Sequence, residues 1–383
     1  MVTPILVASM LAICTAAALI SIVSIWHVTS SRRRLNLLND NAPPLSVLKP
    51  LCGADDSLER NLETFFNQRY PSFELIFGVE DRSDPAVPLV QRLIAKHPDV
   101  KARLVIHGRR GLNPKVANLR GILSAGAHDL VVISDSNISV APDYLTRLAS
   151  RFTSSTPGKS EPGLVTNLFA GVGARTLGAD LESLQLNGPV SGGIASSELL
   201  GGSAVLVGKS MMFRRTLFES LGGMESLASV LAEDYVMGRM FKEAGHPVCV
   251  CSDVVHNVTV HTSLRGFFSR QLRWAMLRSR IKPLLYPLEV LMNPIAVALL
   301  ALALGADVWV LAWALLLTAM RDGLQWWRLR GAAGIEVIAL GIVKDLFMIG
   351  AWAAAPFLSK INWRGHKLRV SAGTRVYADE PVA

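Results

Sequence analysis

The chain gathers its apolar residues into three long blocks and alternates polar with apolar positions between the first two. Residues 3–31 contain no charged side chain, and the run is long enough to span a bilayer. A second block covers residues 284–320, interrupted by Glu289, Asp307 and a few small residues. It fits two transmembrane helices with a turn near Gly305-Ala306-Asp307. A third block, residues 331–359, contains Glu336 and the pair Lys344-Asp345. Charges inside a span are costly and usually paired or functional, so this block reads as a third C-terminal span or as a re-entrant or interfacial segment.

Residues 42–261 read as one α/β domain. Residues 46–50 form a short strand, and residues 57–68 have helical periodicity through Leu58, Leu62, Phe65 and Phe66. Further strands are predicted at 73–79, 103–107 and 130–134, with helices at 87–95 and 115–125. This alternation predicts a parallel sheet covered by helices. Ligands of such sheets sit beyond the carboxyl ends of the strands, where Asp81 and Asp135 lie. Residues 153–163, rich in Ser, Thr, Pro and Gly, read as a surface loop or hinge. Residues 262–283 alternate Phe267, Phe268, Leu272, Trp274 and Leu277 with Arg270, Arg273, Arg278 and Arg280. That pattern predicts an amphipathic helix in the membrane interface.

Charge orients these blocks. Arg32-Arg33-Arg34 follows the first block at once, which places that end in the cytoplasm and the N-terminus outside. A cleaved signal peptide carries its positive charge before the apolar run, not after it, so residues 1–31 read as an anchor. Arg321, Arg328 and Arg330 favour a return to the cytoplasm. The basic tail, residues 360–383 with Lys360, Arg364, Lys367 and Arg369, favours a cytoplasmic C-terminus. A third C-terminal span would put that tail outside, so the charge rule and the span count conflict. Half of the 383 residues are hydrophobic and the net charge is +9. Membrane-flanking Lys and Arg account for the charge. Nucleic acid is not an expected partner, because no basic face interleaved with aromatics marks the middle domain. Cys249-Val250-Cys251 lacks the spacing of a zinc pair, and reduced thiols suit a cytoplasmic domain.

Four phrases carry candidate chemistry: Gly78-Val79-Glu80-Asp81, Ile133-Ser134-Asp135-Ser136, Ala232-Glu233-Asp234-Tyr235 and Gln271-Leu272-Arg273-Trp274. A nucleotide sugar carries a diphosphate that leaves as an anion. Carboxylate-held metal, Lys or Arg can stabilise it, and the acceptor hydroxyl needs a general base. Asp81 can contact the nucleoside, and Asp135 can hold a divalent cation, Mg2+ or Mn2+, against the diphosphate. Asp234 can take the acceptor proton with Glu233 beside it. Arg273 and Trp274 can close over diphosphate and sugar, and Lys115, at a helix start, can reach phosphate oxygens. Each phrase also has a plainer reading: an Asp at a strand end is often a turn residue or cap, Glu233-Asp234 suits a solvated helix start, and the basic stretch suits a surface helix. Gly208-Lys209-Ser210 is not a phosphate loop, because Ser203 stands where the Walker pattern needs glycine. His256 and His261 flank a strand-like Val-Thr-Val that puts them on opposite faces.

Together these stretches resemble the ceramide glucosyltransferases, inverting membrane enzymes with a GT-A nucleotide-binding domain. The resemblance runs through Val47-Leu-Lys-Pro-Leu51, Asn61-Leu-Glu-Thr-Phe-Phe66, Asp81-Arg-Ser-Asp-Pro-Ala86, Asn113-Pro-Lys-Val-Ala-Asn-Leu119, Asp135-Ser136, Ala232-Glu-Asp-Tyr235 and Arg270-Gln-Leu-Arg-Trp274. It implies donor binding by Asp81 and Asp135, with Asp135 near the metal, Asp234 as base, and a closing motif of Gln271, Arg273 and Trp274. It implies glucose transfer from UDP-glucose to the primary hydroxyl of ceramide, with inversion, by a multi-pass protein whose GT-A domain is cytoplasmic, at a bacterial inner membrane. The sequence departs from the usual Asp-x-Asp metal motif: Ser134 and Ser136 flank Asp135, leaving one carboxylate. If no metal is used, the charge falls to Lys115 and Arg273. Residues 184–202, rich in Gly and Ser, match the animal enzymes poorly, so another lipid such as a hopanoid or diacylglycerol is the rival acceptor. Processive polysaccharide synthases share the closing motif but need more spans. A non-catalytic UDP-sugar sensor is the rival of a different class, and intact Asp81, Asp135, Asp234 and Arg273 argue against it.

Overall fold

The computed structural model describes residues 2–30, 42–55, 57–108, 111–153, 161–201, 206–331, 334–363 and 366–378. The Arg32-Arg33-Arg34 triplet, positions 154–160 of the expected hinge, Gly202, Ser203 and Arg364 lie outside those residues. The helices are α1 (Val2–Ser30), α2 (Leu58–Phe66), α3 (Ala86–Lys96), α4 (Pro114–Ala125), α5 (Tyr144–Thr153), α6 (Leu177–Gln185), α7 (Ser191–Leu199), α8 (Arg215–Ser220), α9 (Glu233–Glu243), α10 (Leu264–Ile281), α11 (Pro294–Ala303), α12 (Trp309–Arg330) and α13 (Ile335–Ala354). The strands are β1 (Leu45–Pro50), β2 (Phe73–Val79), β3 (Lys101–Ile106), β4 (Leu130–Ser134), β5 (Ile138–Ser139), β6 (Leu164–Val172), β7 (Ser210–Arg214), β8 (Val248–Val258), β9 (Lys360–Trp363), β10 (His366–Val370) and β11 (Val376–Ala378). They gather into two compact units, Val28–Leu168 with Leu200–Val258, and Met1–His27 with Phe169–Leu199 and Thr259–Ala383.

The first unit is α/β. Its sheet has the order β3-β2-β1-β4-β7-β6-β8-β5. β1, β2 and β4 are buried along almost their whole length because they are central and covered on both faces. β1 pairs in parallel with β2 and β4, and β2 with β3, as the βα alternation requires. From β7 onward the sheet is mixed. β7 runs antiparallel to both β4 and β6, and β5 antiparallel to β8. The parallel expectation therefore holds only for the strands joined by helical crossovers. Helix α4 lies on β1 and β2, where Asn118 Nδ2 donates to Gly78 O at 2.9 Å and Leu51 O at 3.1 Å. A Cβ on Gly78 would fall 2.0 Å from Asn118 Oδ1, so this close approach requires glycine. α8 and α9 are held to β7 by an aromatic cluster, with Phe213 5.1 Å from Phe218 and 6.2 Å from Phe241 between centroids.

The second unit is helical, with a three-stranded antiparallel sheet β11-β10-β9. Among the described residues, two helical stretches are long and apolar enough to cross a membrane, Thr3–Ser30 and Glu336–Phe357. Tyr286–Met292 and Pro294–Ala303 would join them only as one span bent by 98°. The turn expected at residues 305–307 is present, with Gly305 at φ 86° closing α11. α12, however, continues ten residues past 320, through Arg321 and Asp322. Those charges are buried and paired with α13. Arg321 contacts Asp322 Oδ1 at 2.8 Å and Asp345 at 3.0 Å, and Lys344 Nζ contacts Asp322 Oδ2 at 2.7 Å and Asp345 Oδ1 at 3.4 Å. Two cations thus face two anions, and a closed pairing of this kind removes the reason for a helix to end there.

Removing one member of such a set leaves an uncompensated buried charge, at a cost on the order of 3–5 kcal/mol. Lys344→Met is expected to lower the melting temperature of the detergent-solubilised protein sharply, whereas Lys344→Met combined with Asp322→Asn restores neutrality and recovers much of it. A double variant as unstable as the single one would show that pairing is not what stabilises these helices.

Candidate active site

The site is assembled at the carboxyl end of β4 in the α/β unit. Asp135 is the first residue past that strand. The β4–β7 register places Ser134 opposite Ser210, which brings Lys209 beside Asp135: the Asp135 N–H donates to Lys209 O at 3.4 Å, and Lys209 Nζ lies 4.0 Å from Asp135 Oδ2. Lys49 of β1, wholly buried, donates from Nζ to Asp135 O at 2.6 Å and to Ser134 Oγ at 3.2 Å, with its ammonium 3.8 Å from the Phe65 ring centre.

Lys115 enters on the first turn of α4. Asn113 caps that helix, its Oδ1 accepting from Lys115 N at 2.9 Å and Val116 N at 3.2 Å, while its Nδ2 donates to Val230 O at 2.6 Å. Pro114 follows the cap, where its missing N–H costs nothing. Lys115 Nζ then stands 3.0 Å from both Asp135 Oδ1 and Glu233 Oε1. Glu233 and Asp234 open α9, whose buried Met237 and Phe241 seat the helix on the core. Asp234 accepts from Gly208 N at 2.8 Å and from Tyr235 N at 2.7 Å. A Cβ on Gly208 would stand 2.8 Å from Lys115 Nζ, so the absence of a side chain there keeps room for the ammonium.

Electrostatics separate the groups. Burial pushes the Asp234 carboxyl up, the neighbouring Glu233 adds to it, and the result is about 6 despite Lys115 and two backbone N–H groups. Burial alone would lower Lys115, but Asp135, Glu233 and Asp234 outweigh it and hold the ammonium above its ordinary range. Burial of Asp135 is likewise outweighed by Lys115 and Lys209, which keep it below the usual carboxylate value. Lys49 is pushed down to about 7 by burial, with Asp135 opposing.

Of the residues singled out in the sequence, Lys115, Asp135, Glu233 and Asp234 meet here. Asp81 lies at the end of β2, exposed, its Oδ1 accepting from Ser83 N at 2.7 Å in a turn that leads into α3. Gln271, Arg273 and Trp274 lie on α10 in the helical unit. Gln271 is buried there, and both its amide atoms lack a hydrogen-bond partner among the described residues. Phe267, Gln271, Ala275 and Ser279 form the buried stripe of α10, so this helix packs one face on protein. Sequence reasoning missed Lys49, and it weighed Gly208 and Lys209 only as a phosphate loop, which it rejected. A lysine inside the apolar strand Val47-Leu48-Lys49-Pro50 was the available signal for the first.

For a divalent cation the donor set fits poorly. Among the described residues no three His, Cys, Asp or Glu side chains gather as metal ligands. Both oxygens of Asp135 face ammonium groups. Asn137, two positions on, is neutral and donates Nδ2 to Asn257 Oδ1 at 3.1 Å.

Lys49 yields a pH prediction. Its pKa falls from 10.5 to about 7 on folding, so between those values the unfolded chain holds a proton that the folded chain does not. Stability therefore gains from this group as pH rises from about 7 to 10. Lys49→Met is expected to flatten that rise, read as melting temperature against pH for both proteins; equal slopes would remove Lys49 from the titration.

Residues 9–376, from within α1 to the first residue of β11, match the glycosyl transferase family 21 profile. Ceramide glucosyltransferase 1 of Caenorhabditis elegans is 27% identical over 356 residues, covering 87% of this chain and 73% of that protein. Ceramide glucosyltransferase 3 of the same organism is 28% identical over 256 residues, covering 67% of this chain and only 55% of its own length. Among solved structures, the mannosyltransferase PcManGT from Pyrobaculum calidifontis in complex with GDP-Man and Mn2+ is similar over 92% of this chain and 99% of that one, with 17% identity and a TM-score of 0.49. With nearly the whole sequence matched, the chain belongs to glycosyl transferase family 21.

Proposed function

We propose that this glycosyltransferase moves glucose from UDP-glucose to the primary hydroxyl of ceramide with inversion at the anomeric carbon. The observation that carries the reading is that Asp234, held by two backbone N–H groups and raised to about 6, follows directly on Glu233, which the Lys115 ammonium bridges to Asp135. A base tuned close to neutrality beside a fixed cation is what a single displacement needs. The acceptor oxygen attacks the anomeric carbon and its proton passes to Asp234. The anomeric C–O bond to the diphosphate breaks, and UDP leaves with the electron pair.

In this reading Asp135 orients Lys115 at the donor, Glu233 raises the proton affinity of Asp234, and Asp81 contacts the nucleoside. Gln271, Arg273 and Trp274 carry the closing role that their motif implies. The α/β unit lies in the cytoplasm, where UDP-sugars are available. That orientation is supported by the Arg triplet after α1. The curated relatives named above are ceramide glucosyltransferases, which supports ceramide as acceptor. The direct test is mass spectrometry of lipids after incubating the purified chain with UDP-glucose and ceramide. Glucosylceramide and stoichiometric UDP are expected. UDP release with diacylglycerol or a hopanoid polyol but not ceramide would move the acceptor, and no UDP release with any lipid would favour the sensor.

Asp234 must be ionised to act, so kcat/KM is expected to fall below a pH of about 6. Asp234→Asn keeps shape and loses proton affinity, so it is expected to bind UDP-glucose normally while losing about 10²–10⁴-fold in rate. Turnover at the wild-type rate would remove Asp234 from the mechanism.

Arg273 offers phosphate a planar fork of donors where lysine offers a point charge. Arg273→Lys is therefore expected to lose most of the rate with fold and membrane attachment intact, while Arg278→Lys changes little. Arg278 pairs with Glu289 at 2.8 Å, a contact that lysine can keep. Equal behaviour of the two variants would reduce α10 to a membrane-surface helix.

A further inference from the structure

Ammonium groups occupy the place at Asp135 that a divalent cation would need. Lys115 Nζ is 3.0 Å from Asp135 Oδ1 and Lys209 Nζ is 4.0 Å from Oδ2, so each carboxylate oxygen already faces a positive charge. The next positions supply no second ligand. Ser134 Oγ accepts from Lys49 at 3.2 Å, and Asn137 is committed to Asn257. The nearby carboxylate of Asp55 is held by Ser136 Oγ at 3.3 Å and reaches this loop through that hydroxyl. A dication entering this arrangement would be repelled by the Lys115 and Lys209 ammonium groups and would have to displace Lys115 from two carboxylates at once.

We propose that Lys115, backed by Lys209, is the cation of this site: it seats the donor's diphosphate and stabilises its departure, and the chain needs no divalent metal. The inference rests on the sugar-transfer reading and fixes how that reaction manages charge. A lysine ammonium has three N–H donors. Asp135 and Glu233 take two, which aim the group and keep it charged, and the third serves a phosphate oxygen. When the anomeric C–O bond breaks, the electron pair goes to the β-phosphate oxygen and no proton moves from Lys115. Gly208 is part of the device, since a Cβ would stand 2.8 Å from Lys115 Nζ. Lys209 is held in place through the backbone, its carbonyl accepting from Asp135 N at 3.4 Å.

The experiment is UDP titration of the purified full chain by calorimetry, in EDTA and in excess MnCl2, with the Mn2+ electron paramagnetic resonance signal followed in parallel. The two UDP affinities are expected to agree within about threefold, and chain plus UDP to remove no more free Mn2+ than UDP alone. In EDTA, Lys115→Met is expected to weaken UDP binding about 10–100-fold, the range for losing one hydrogen bond to a charged group. Lys209→Met is expected to weaken it less. UDP binding tightened tenfold or more by Mn2+, with the ion taken up by the ternary complex, would overturn the proposal, as would wild-type affinity in Lys115→Met. The wild-type comparison decides the question even where a variant fails to fold. Metal-dependent affinity would sink this inference alone, whereas no UDP binding in either buffer would sink the sugar-transfer reading and this inference with it.

Discussion

A lysine bridging two carboxylates is the constraint on which the α/β unit's site depends. Taking an ammonium and a carboxylate out of water costs several kcal/mol per ion, and only close, well-directed pairing offsets it. Lys115 meets that condition with 3.0 Å contacts to Asp135 and Glu233, which follow β4 and open α9 respectively. Three local structures must be right for those contacts to exist. Asn113 must cap α4, β4 must end at Ser134, and α9 must begin at Glu233. The core enforces each of these: Val116, Leu119 and Ile122 of α4 pack with Met237 and Phe241 of α9 and with Ile133 of β4.

Antiparallel pairing supplies the second layer of control. The Ser134–Ser210 register is a β-ladder fact, yet it decides which side chain meets Asp135. A slip by one residue would exchange the two faces of β7 and take Lys209 away from the site. Packing on β7 prevents that slip, because Met211, Met212 and Phe213 are all buried and Phe213 is gripped by Phe218 and Phe241. Core apolar contacts and site electrostatics are thus coupled through one strand.

Much of this was legible in the chain. β2 and β4 fall on the residues read from their apolar runs, because a continuous apolar stretch between turn signals leaves little choice of element, and α4 starts one residue before the helix read at 115–125 and ends with it. The antiparallel half of the sheet was not legible. β6 and β8 follow helices α5 and α9 just as the parallel strands follow theirs, so the order of elements does not give their direction, and pairing across a sheet is a non-local choice. Asp135 and Asp234 stood out because their phrases recur in one order with Asp81 and the Gln271-Leu272-Arg273-Trp274 motif, although each carboxylate alone also suits a turn, cap or helix start. Lys49 and Lys209 did not, since a lysine in a sequence reads as surface. Their burial depends on partners 85 or more residues away for Lys49 and 74 for Lys209. The second apolar block reads as ending near Met320 because Arg321, Arg328 and Arg330 look like a membrane boundary, and only the contacts of Arg321 and Asp322 with Lys344 and Asp345 show that a helix can carry those charges inward.

Both units bury balanced sets of charge, and the difference between the sets separates structure from chemistry. In the helical unit Arg321 and Lys344 face Asp322 and Asp345 with every charge within 3.4 Å of an opposite one. Such a set is complete, and a ligand could bind it only by breaking it. In the α/β unit three lysines accompany three carboxylates, but the pairing is uneven. Lys115 takes two carboxylates, Lys209 stands off Asp135 at 4.0 Å, Lys49 donates to a carbonyl and a hydroxyl, and Asp234 is held by backbone N–H groups. The consequence is a carboxyl raised to about 6 and an amine lowered to about 7, groups that change charge near neutrality. A fold that only needed stability would close such a set, as the helices do. Under the proposed reaction, an incoming diphosphate would complete the pairing of the lysines and an acceptor hydroxyl that of Asp234.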